Sequence, residues 1–291
     1  MLYGAIEAGG TKFILGIGDV HGNLLERQSI STRGPNETMK EAADFFSDFP
    51  IASLGLGCFG PLELDETSPR YGFITTTPKK QWVSFDILGT LKRQLKIPVV
   101  ISTDVGAAAL GEITYGAFSS QQTLLYLTIG TGIGGGYVIN GRIHNGMLHP
   151  EIGHIQINRQ PGDLHPANCR YHDNCLEGLA AGPAIESRTG LPGVQVHDDH
   201  PVFPLISDYI AQALATCILV LSPTKIVLGG GVMERAFLFP IIRKKTLAHL
   251  NGYLETEALQ HMDTYIIPPS LGKHSGIMGC LALAQRAAKM P

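Results

Sequence analysis

The chain has 291 residues, of which 44% are apolar and 16% charged, with a formal net charge of −3. That length fits two domains or one large one and can bury a core without disulfide staples. The nearly balanced charge offers no basic patch, so neither nucleic acid nor an anionic membrane surface is expected as a partner.

In chain order, the opening MLYGAIEAGG lacks the basic start and apolar core of a secretory signal. Residues 4–18, GAIEAGGTKFILGIG, read as strand, glycine turn, strand. Asn36 is placed to cap a helix over ETMKEAADFFSDF, and ASLGLGCFG follows as a strand. Ser84 is placed to cap FDILGTLKRQL. IPVVISTD is a strand ending at Asp104, and DVGAAALGEITYGAF carries small and apolar residues at helical spacing. Residues 124–141, LLYLTIGTGIGGGYVING, repeat the strand–glycine turn–strand pattern. FPLISDYIAQALATCILVL reads as a long, central helix. Its most apolar run, ALATCILVLSP, falls short of the about 18 residues of a membrane span. KIVLGGG is a strand ending in three glycines, and SGIMGCLALAQRAA is a closing helix. Strands alternating with helices predict an α/β fold. The boundary is expected near AFSSQQT, giving domains 1–118 and 119–274, with the last helix, about 275–291, packed on the first. Cys58, Cys169, Cys175, Cys217 and Cys280 are odd in number, and three lie in apolar sequence, which suits a reducing cytoplasm.

Two glycine stretches imitate a dinucleotide fingerprint: Gly130, Gly132 and Gly135, and Gly55, Gly57 and Gly60. That motif needs a helix to begin at the glycines, because the helix N-terminus holds the pyrophosphate. Here GGGYVING and PLELDE follow instead, and both favour strand or loop. GAIEAGGT approaches a P-loop, but Gly10-Thr11-Lys12 has the wrong order. What remains is a pair of similar turns whose backbone N–H groups and threonine hydroxyls suit phosphate oxygens, against the plainer reading of tight hairpins.

NCRYHDNC places Cys169, His172 and Cys175 at equal three-residue intervals. Structural zinc takes four ligands in tetrahedral array. His154, 15 residues before Cys169, leads as the fourth, with His149 and His165 as rivals. The alternative is an ordinary loop with one buried cysteine. Asp104 ends an apolar strand and starts a helix, a place suited both to a catalytic carboxylate and to an N-cap. Glu7 sits in a buried strand beside Gly9 and Gly10, where a carboxylate needs a partner or a metal.

IEAGGTK (6–12), STDVGAAALGE (102–112), LTIGTGIGGG (127–136), HPEIGHI (149–155), the Cys/His cluster and IVLGGGV (226–232) stand in the order found in ROK-family sugar kinases, and EAGGTK most resembles the bacterial fructokinase branch. The resemblance implies an actin-like ATPase (ribonuclease H-like) fold of two α/β domains with a cleft between them. It implies a cytoplasmic, usually dimeric enzyme that phosphorylates a hexose with ATP. Asp104 would then be the general base toward the C6 hydroxyl. Gly9, Gly10, Thr11, Lys12, Gly130, Thr131 and Gly132 would cradle phosphates, and Gly229, Gly230 and Gly231 would lie against adenosine. Glu7 would order Mg²⁺ waters or the loop. Thr103, Glu151, His154 and Glu177 would read the sugar hydroxyls, beside a structural Zn²⁺. Thr103-Asp104-Val105-Gly106 replaces the Asn-Asp-Ala-Asn of the glucokinase branch. The loss of two amides favours fructose over glucose. The other sugars to weigh are mannose, glucose and N-acetylhexosamines. A non-catalytic sugar-binding regulator is expected to carry a DNA-binding domain ahead of the first hairpin, and that hairpin begins by residue 4.

Overall fold

The computed structural model describes residues 1–119 and 121–288. The first sequence block forms β1 (Leu2–Ala8), β2 (Lys12–Gly18), β3 (Leu24–Ser31), α1 (Pro35–Ser47), β4 (Ile51–Cys58), α2 (Ile87–Leu95), β5 (Val99–Thr103) and α3 (Asp104–Tyr115). The middle holds β6 (Leu124–Ile129), β7 (Ile133–Ile139), β8 (Arg142–Ile143), α4 (Leu176–Ala180), α5 (Gly182–Thr189) and α6 (Val202–Leu221). The last block holds β9 (Lys225–Gly229), α7 (Leu238–Leu250), α8 (Glu257–Gln260), α9 (Met262–Tyr265), β10 (Ile266–Ile267) and α10 (Ser275–Ala287).

These elements form two compact units. One gathers residues 1–121, 136–150 and 270–291; the other gathers 122–135 and 151–269. In the first unit the sheet order is β3-β2-β1-β4-β5. The pairs β1/β2 and β2/β3 are antiparallel, and β1/β4 and β4/β5 are parallel. The two-residue period of a strand divides β1 between two cores. Tyr3 and Ala5 pack with Ala107 and Leu110 of α3 and with Ile277 and Leu281 of α10. Ile6 and Ala8 pack with Met39 and Phe46 of α1, Leu88 and Leu91 of α2, and Trp82. The sheet is therefore covered on both faces.

The packing of α10 explains Gly55 and Gly57, while Gly60 faces Leu62 and His149. A Cβ at Gly55 would fall 1.9 Å from the Cys280 carbonyl, and one at Gly57 would fall 2.9 Å from Cys280 Sγ. A Cβ at Gly279 would fall 1.6 Å from the Ala107 carbonyl. These glycines let a helix lie directly on the strand and on α3; they hold no nucleotide fingerprint.

Two caps differ from expectation. Pro35 takes the first helical position of α1, where its missing N–H costs nothing, so Gly34 and not Asn36 is the cap residue. Asp86 caps α2 by accepting the Gly89 N–H at 2.7 Å, and Ser84 instead lies in the turn before it with φ 58°. Strand β3 carries no strand signal in sequence, because LLERQSIS lies on the sheet edge with mostly exposed polar side chains.

The second sheet has the order β10-β9-β6-β7-β8, with β6/β9 and β9/β10 parallel. Helix α6 packs against α7 and α4. By length and composition α6 could cross a membrane, yet 61% of its apolar window is buried inside the protein. Phe203, Ile206, Tyr209 and Leu214 are fully buried, as expected of a core helix.

Candidate active site

The first glycine turn joins β1 to β2. Gly9 N donates to the Lys12 carbonyl at 3.0 Å. Thr32, just after β3, donates from Oγ1 to the Gly9 carbonyl at 2.8 Å and from its N to the Thr11 carbonyl at 2.9 Å. The carbonyls of Gly9, Thr11 and Lys12 are thereby occupied, while the N–H groups of Gly10 and Thr11 donate to no described residue. Backbone donors without internal acceptors, in an exposed turn, suit an anion. The second turn, between β6 and β7, repeats this scheme. Gly130 N donates to the Gly132 carbonyl at 2.9 Å, and Gly182 N donates to the Gly130 carbonyl at 2.7 Å. The N–H groups of Thr131 and Gly132 donate to no described residue.

Glu177 supports the second turn: its Oε2 accepts the Ile133 N–H at 2.9 Å. A Cβ at Gly132 would fall 2.7 Å from the same oxygen. The glycines after β9 lie beside this turn. Gly230, with φ 88°, passes so close that a Cβ would fall 2.5 Å from the Ile129 carbonyl. Gly231 N lies 3.9 Å from a Cβ built on Gly130, and a Cβ on Gly231 itself would meet nothing within 4 Å. Gly229 has a packing reason, since a Cβ there would strike the Tyr126 hydroxyl.

In the first unit, the N-cap of α3 is Thr103, whose Oγ1 accepts the Gly106 N–H at 3.0 Å. Asp104 is the first helical residue, and its Oδ1 accepts the Val105 N–H at 2.9 Å. The side-chain cap of α3 is thus supplied by the neighbouring Thr103. Gly106 has no room for a longer side chain: a Cβ would fall 2.7 Å from Ser102 Oγ and 2.9 Å from Thr103 Oγ1. Glu7 follows Tyr3 and Ala5 onto the α3–α10 face, where its Oε1 lies 2.6 Å from a Cβ built on Gly276. Burial pushes its pKa from 4.5 up to about 7, Asp104 adds to the rise, and Lys12 and Arg27 oppose it.

His154, Cys169, His172 and Cys175 bring one ligand atom each to within 4.8 Å of one another. Cys169 Sγ lies 3.9 Å from His154 Nδ1 and 3.6 Å from His172 Nδ1. Tetrahedral bonds of zinc length would separate such atoms by about 3.5 Å, so the donor set fits the ion. His165 lies elsewhere, its Nε2 2.9 Å from Ser187 Oγ, and His149 is not in the group. Glu151 precedes the short turn that carries His154, and its carbonyl accepts the His154 N–H at 2.9 Å. Cys175 caps α4, accepting the Gly178 N–H at 3.4 Å, two residues before Glu177. The cluster therefore joins the segment carrying Glu151 to the helix carrying Glu177.

The loop has a second anchor that its sequence does not announce. Arg159 donates to the carbonyls of His165 and Asp173. Asp163 pairs with Arg188 at 2.9 Å and accepts the Tyr209 hydroxyl at 2.5 Å. Burial would raise the Asp163 pKa, but hydrogen bonds from Arg188 and Tyr209 outweigh it and hold the carboxyl below its usual range. Lys79, also unforeseen, places its Cε 3.7 Å from a Cβ built on Gly10. No signal marks these residues in sequence: each is a polar residue in a loop or helix, indistinguishable from a solvated one.

Two α/β units of this topology, with the matched glycine turns, define an actin-like ATPase fold. The ROK family model matches residues 3–287, and the chain belongs to the ROK family. It is 50% identical to the fructokinase of Pediococcus pentosaceus over 99% of both chains. It is 42% identical to the fructokinase of Lactococcus lactis subsp. cremoris, over 97% of this chain and 96% of that one. The ROK hexokinase from Thermus thermophilus superimposes with a TM-score of 0.80, at 28% identity and 99% coverage of each chain.

Proposed function

We infer that this protein is an ATP-dependent fructokinase that forms fructose 6-phosphate. The relatives named fructokinase, similar over nearly the whole chain, support the sugar and the reaction. The observation that carries the chemistry is Asp104 in the first turn of α3, with the Glu7 carboxylate close enough to feel its charge. In the reaction proposed, the C6 hydroxyl oxygen attacks the γ-phosphorus. The new O–P bond forms as the bond to the bridging β–γ oxygen breaks, ADP leaves with that electron pair, and the hydroxyl proton passes to Asp104. The N–H groups of Gly10, Thr11, Thr131 and Gly132 meet phosphate oxygens, with Lys12 adding charge. Gly231, with open space above it, lies at the adenosine. Glu151, His154 and Glu177 are the sugar-binding candidates, although Glu177 already serves the second turn.

Glu7 and Asp104 are carboxylates close enough for one to raise the pKa of the other, a setting in which a bound Mg²⁺ would favour ionisation. When bound, Mg²⁺ supplies charge neutralisation for the phosphates. Zn²⁺ on His154, Cys169, His172 and Cys175 would be structural, since four protein ligands leave no open position.

The test is a coupled ADP-release assay with Mg-ATP across fructose, mannose, glucose and N-acetylmannosamine. High turnover on fructose alone, abolished in Asp104→Asn, is expected. Turnover on another sugar would keep the kinase and overturn the sugar assignment. No turnover on any sugar by folded, zinc-loaded protein would overturn the reading.

A further inference from the structure

The loop between β4 and α2 brings a lysine close to the first glycine turn. Lys79 lies over the first glycine turn, its Cε at 3.7 Å from a Cβ built on Gly10. Its ammonium forms no ion pair with a described residue, although the protein has carboxylates to spare. An unneutralised cation beside two backbone N–H groups without internal acceptors adds charge to a site already built for an anion.

Its placement is held from both sides. Three residues on, Trp82 is 1% exposed and packs on Phe13, Phe59 and Phe85 with ring centroids 5.4–5.6 Å away. Trp82 N donates to the Lys79 carbonyl at 2.8 Å, and Trp82 Nε1 donates to the Arg33 carbonyl at 2.9 Å. Arg33 adjoins Thr32, which holds the carbonyls of Gly9 and Thr11. The lysine and the turn thus hang on one short segment, 32–33. A cleft of about 310 Å³ opens there, lined by Thr32, Arg33, Gly34, Lys79 and Trp82 among others.

We propose that Lys79 is a second cationic contact for the phosphoryl group being transferred, acting with the N–H groups of Gly10 and Thr11. The proposal rests on the kinase reading above. A long, exposed ammonium held at the turn reaches the terminal phosphate, which is present in ATP and absent from ADP.

The experiment compares wild type, Lys79→Met and Lys79→Arg for fructose phosphorylation and, by calorimetry, for binding of a non-hydrolysable ATP analogue and of ADP. Lys79→Met is expected to lower kcat/KM for ATP by about 10- to 100-fold, as for loss of a charge-assisted hydrogen bond. The same variant should weaken the analogue about tenfold while leaving ADP unchanged, and Lys79→Arg should recover most of both. Unchanged kcat/KM and analogue affinity, an equal loss for ADP and analogue, or no recovery by arginine would overturn the assignment. A wild type inactive on every sugar would strike the kinase reading instead, and the two titrations would still decide the role of Lys79.

Discussion

Glu177 Oε2 accepts the Ile133 N–H at 2.9 Å, so a carboxylate in the first turn of α4 supports the second glycine turn from beneath. Removing it leaves a buried donor without a partner, at a cost of about 1–3 kcal/mol. Glu177→Ala is therefore expected to lower Tm and raise the KM for ATP, with Glu177→Gln, which keeps an acceptor, recovering part of both. Steady-state kinetics with each substrate varied checks this. A rise in the fructose KM alone would mean that Glu177 serves the sugar and not the turn.

Asp104 and Thr103 divide two tasks between adjacent positions. Asp104→Asn should reduce kcat by about 10²- to 10⁴-fold, the usual worth of a general base, with little change in Tm. Thr103→Ala removes the cap and should destabilise by about 1 kcal/mol. Thermal melts beside turnover numbers separate the two effects. Near-normal turnover in Asp104→Asn would remove it as the base.

Chelation should act locally. Stripping metal from the cluster, or changing Cys169→Ser, is expected to lower Tm and to weaken fructose, because Glu151 lies three residues before His154 and Glu177 two after Cys175. Hydrogen exchange should show the 168–175 segment opening while the amides around Asp163 stay protected by the Arg159, Arg188 and Tyr209 bonds. Unchanged fructose affinity after complete metal removal would end the link between the cluster and the sugar.

The pH dependence of stability should carry the mark of Glu7. Its folded pKa, about 7, lies above the ordinary 4.5, so the folded state holds the proton more tightly. Its contribution is fully present below about pH 4.5 and is lost as pH rises through about 7. In protein free of nucleotide and Mg²⁺, Glu7→Gln should gain relative to wild type between pH 5 and 8, by at most about 3 kcal/mol. Denaturant melts at both pH values test this, and a parallel shift of the two proteins would refute it.

Glu112 of α3 is fully buried and holds the entry to α10. It accepts the N–H groups of Ser270 and Leu271 at 3.0 and 3.1 Å and the hydroxyls of Ser270 and Ser275, the latter at 2.7 Å. Glu112→Ala should cost about 3–5 kcal/mol, since several buried donors lose their acceptor together. Urea denaturation measures it, and a loss below 1 kcal/mol would show that the loop re-pairs on its own.

The local patterns are legible in the sequence. Apolar runs broken by Gly9-Gly10 and by Gly130-Thr131-Gly132 mark the two turns, because glycine clusters between strand-like runs punctuate a chain at its turns. Cys169, His172 and Cys175 are recognisable from chemistry and spacing as three candidate metal ligands. The order of these motifs along the chain was enough to identify the family. Tertiary structure decided the rest. Choosing His154 over His149 and His165 required knowing where each ring lies, and three histidines look alike in a string of letters. That Thr103 and not Asp104 caps α3 depends on backbone angles at one junction. Thr32, Lys79, Glu112 and the Arg159–Asp163–Arg188 network act only on residues distant in sequence. A polar side chain bears no local sign of whether it will meet water or a partner brought to it by the fold.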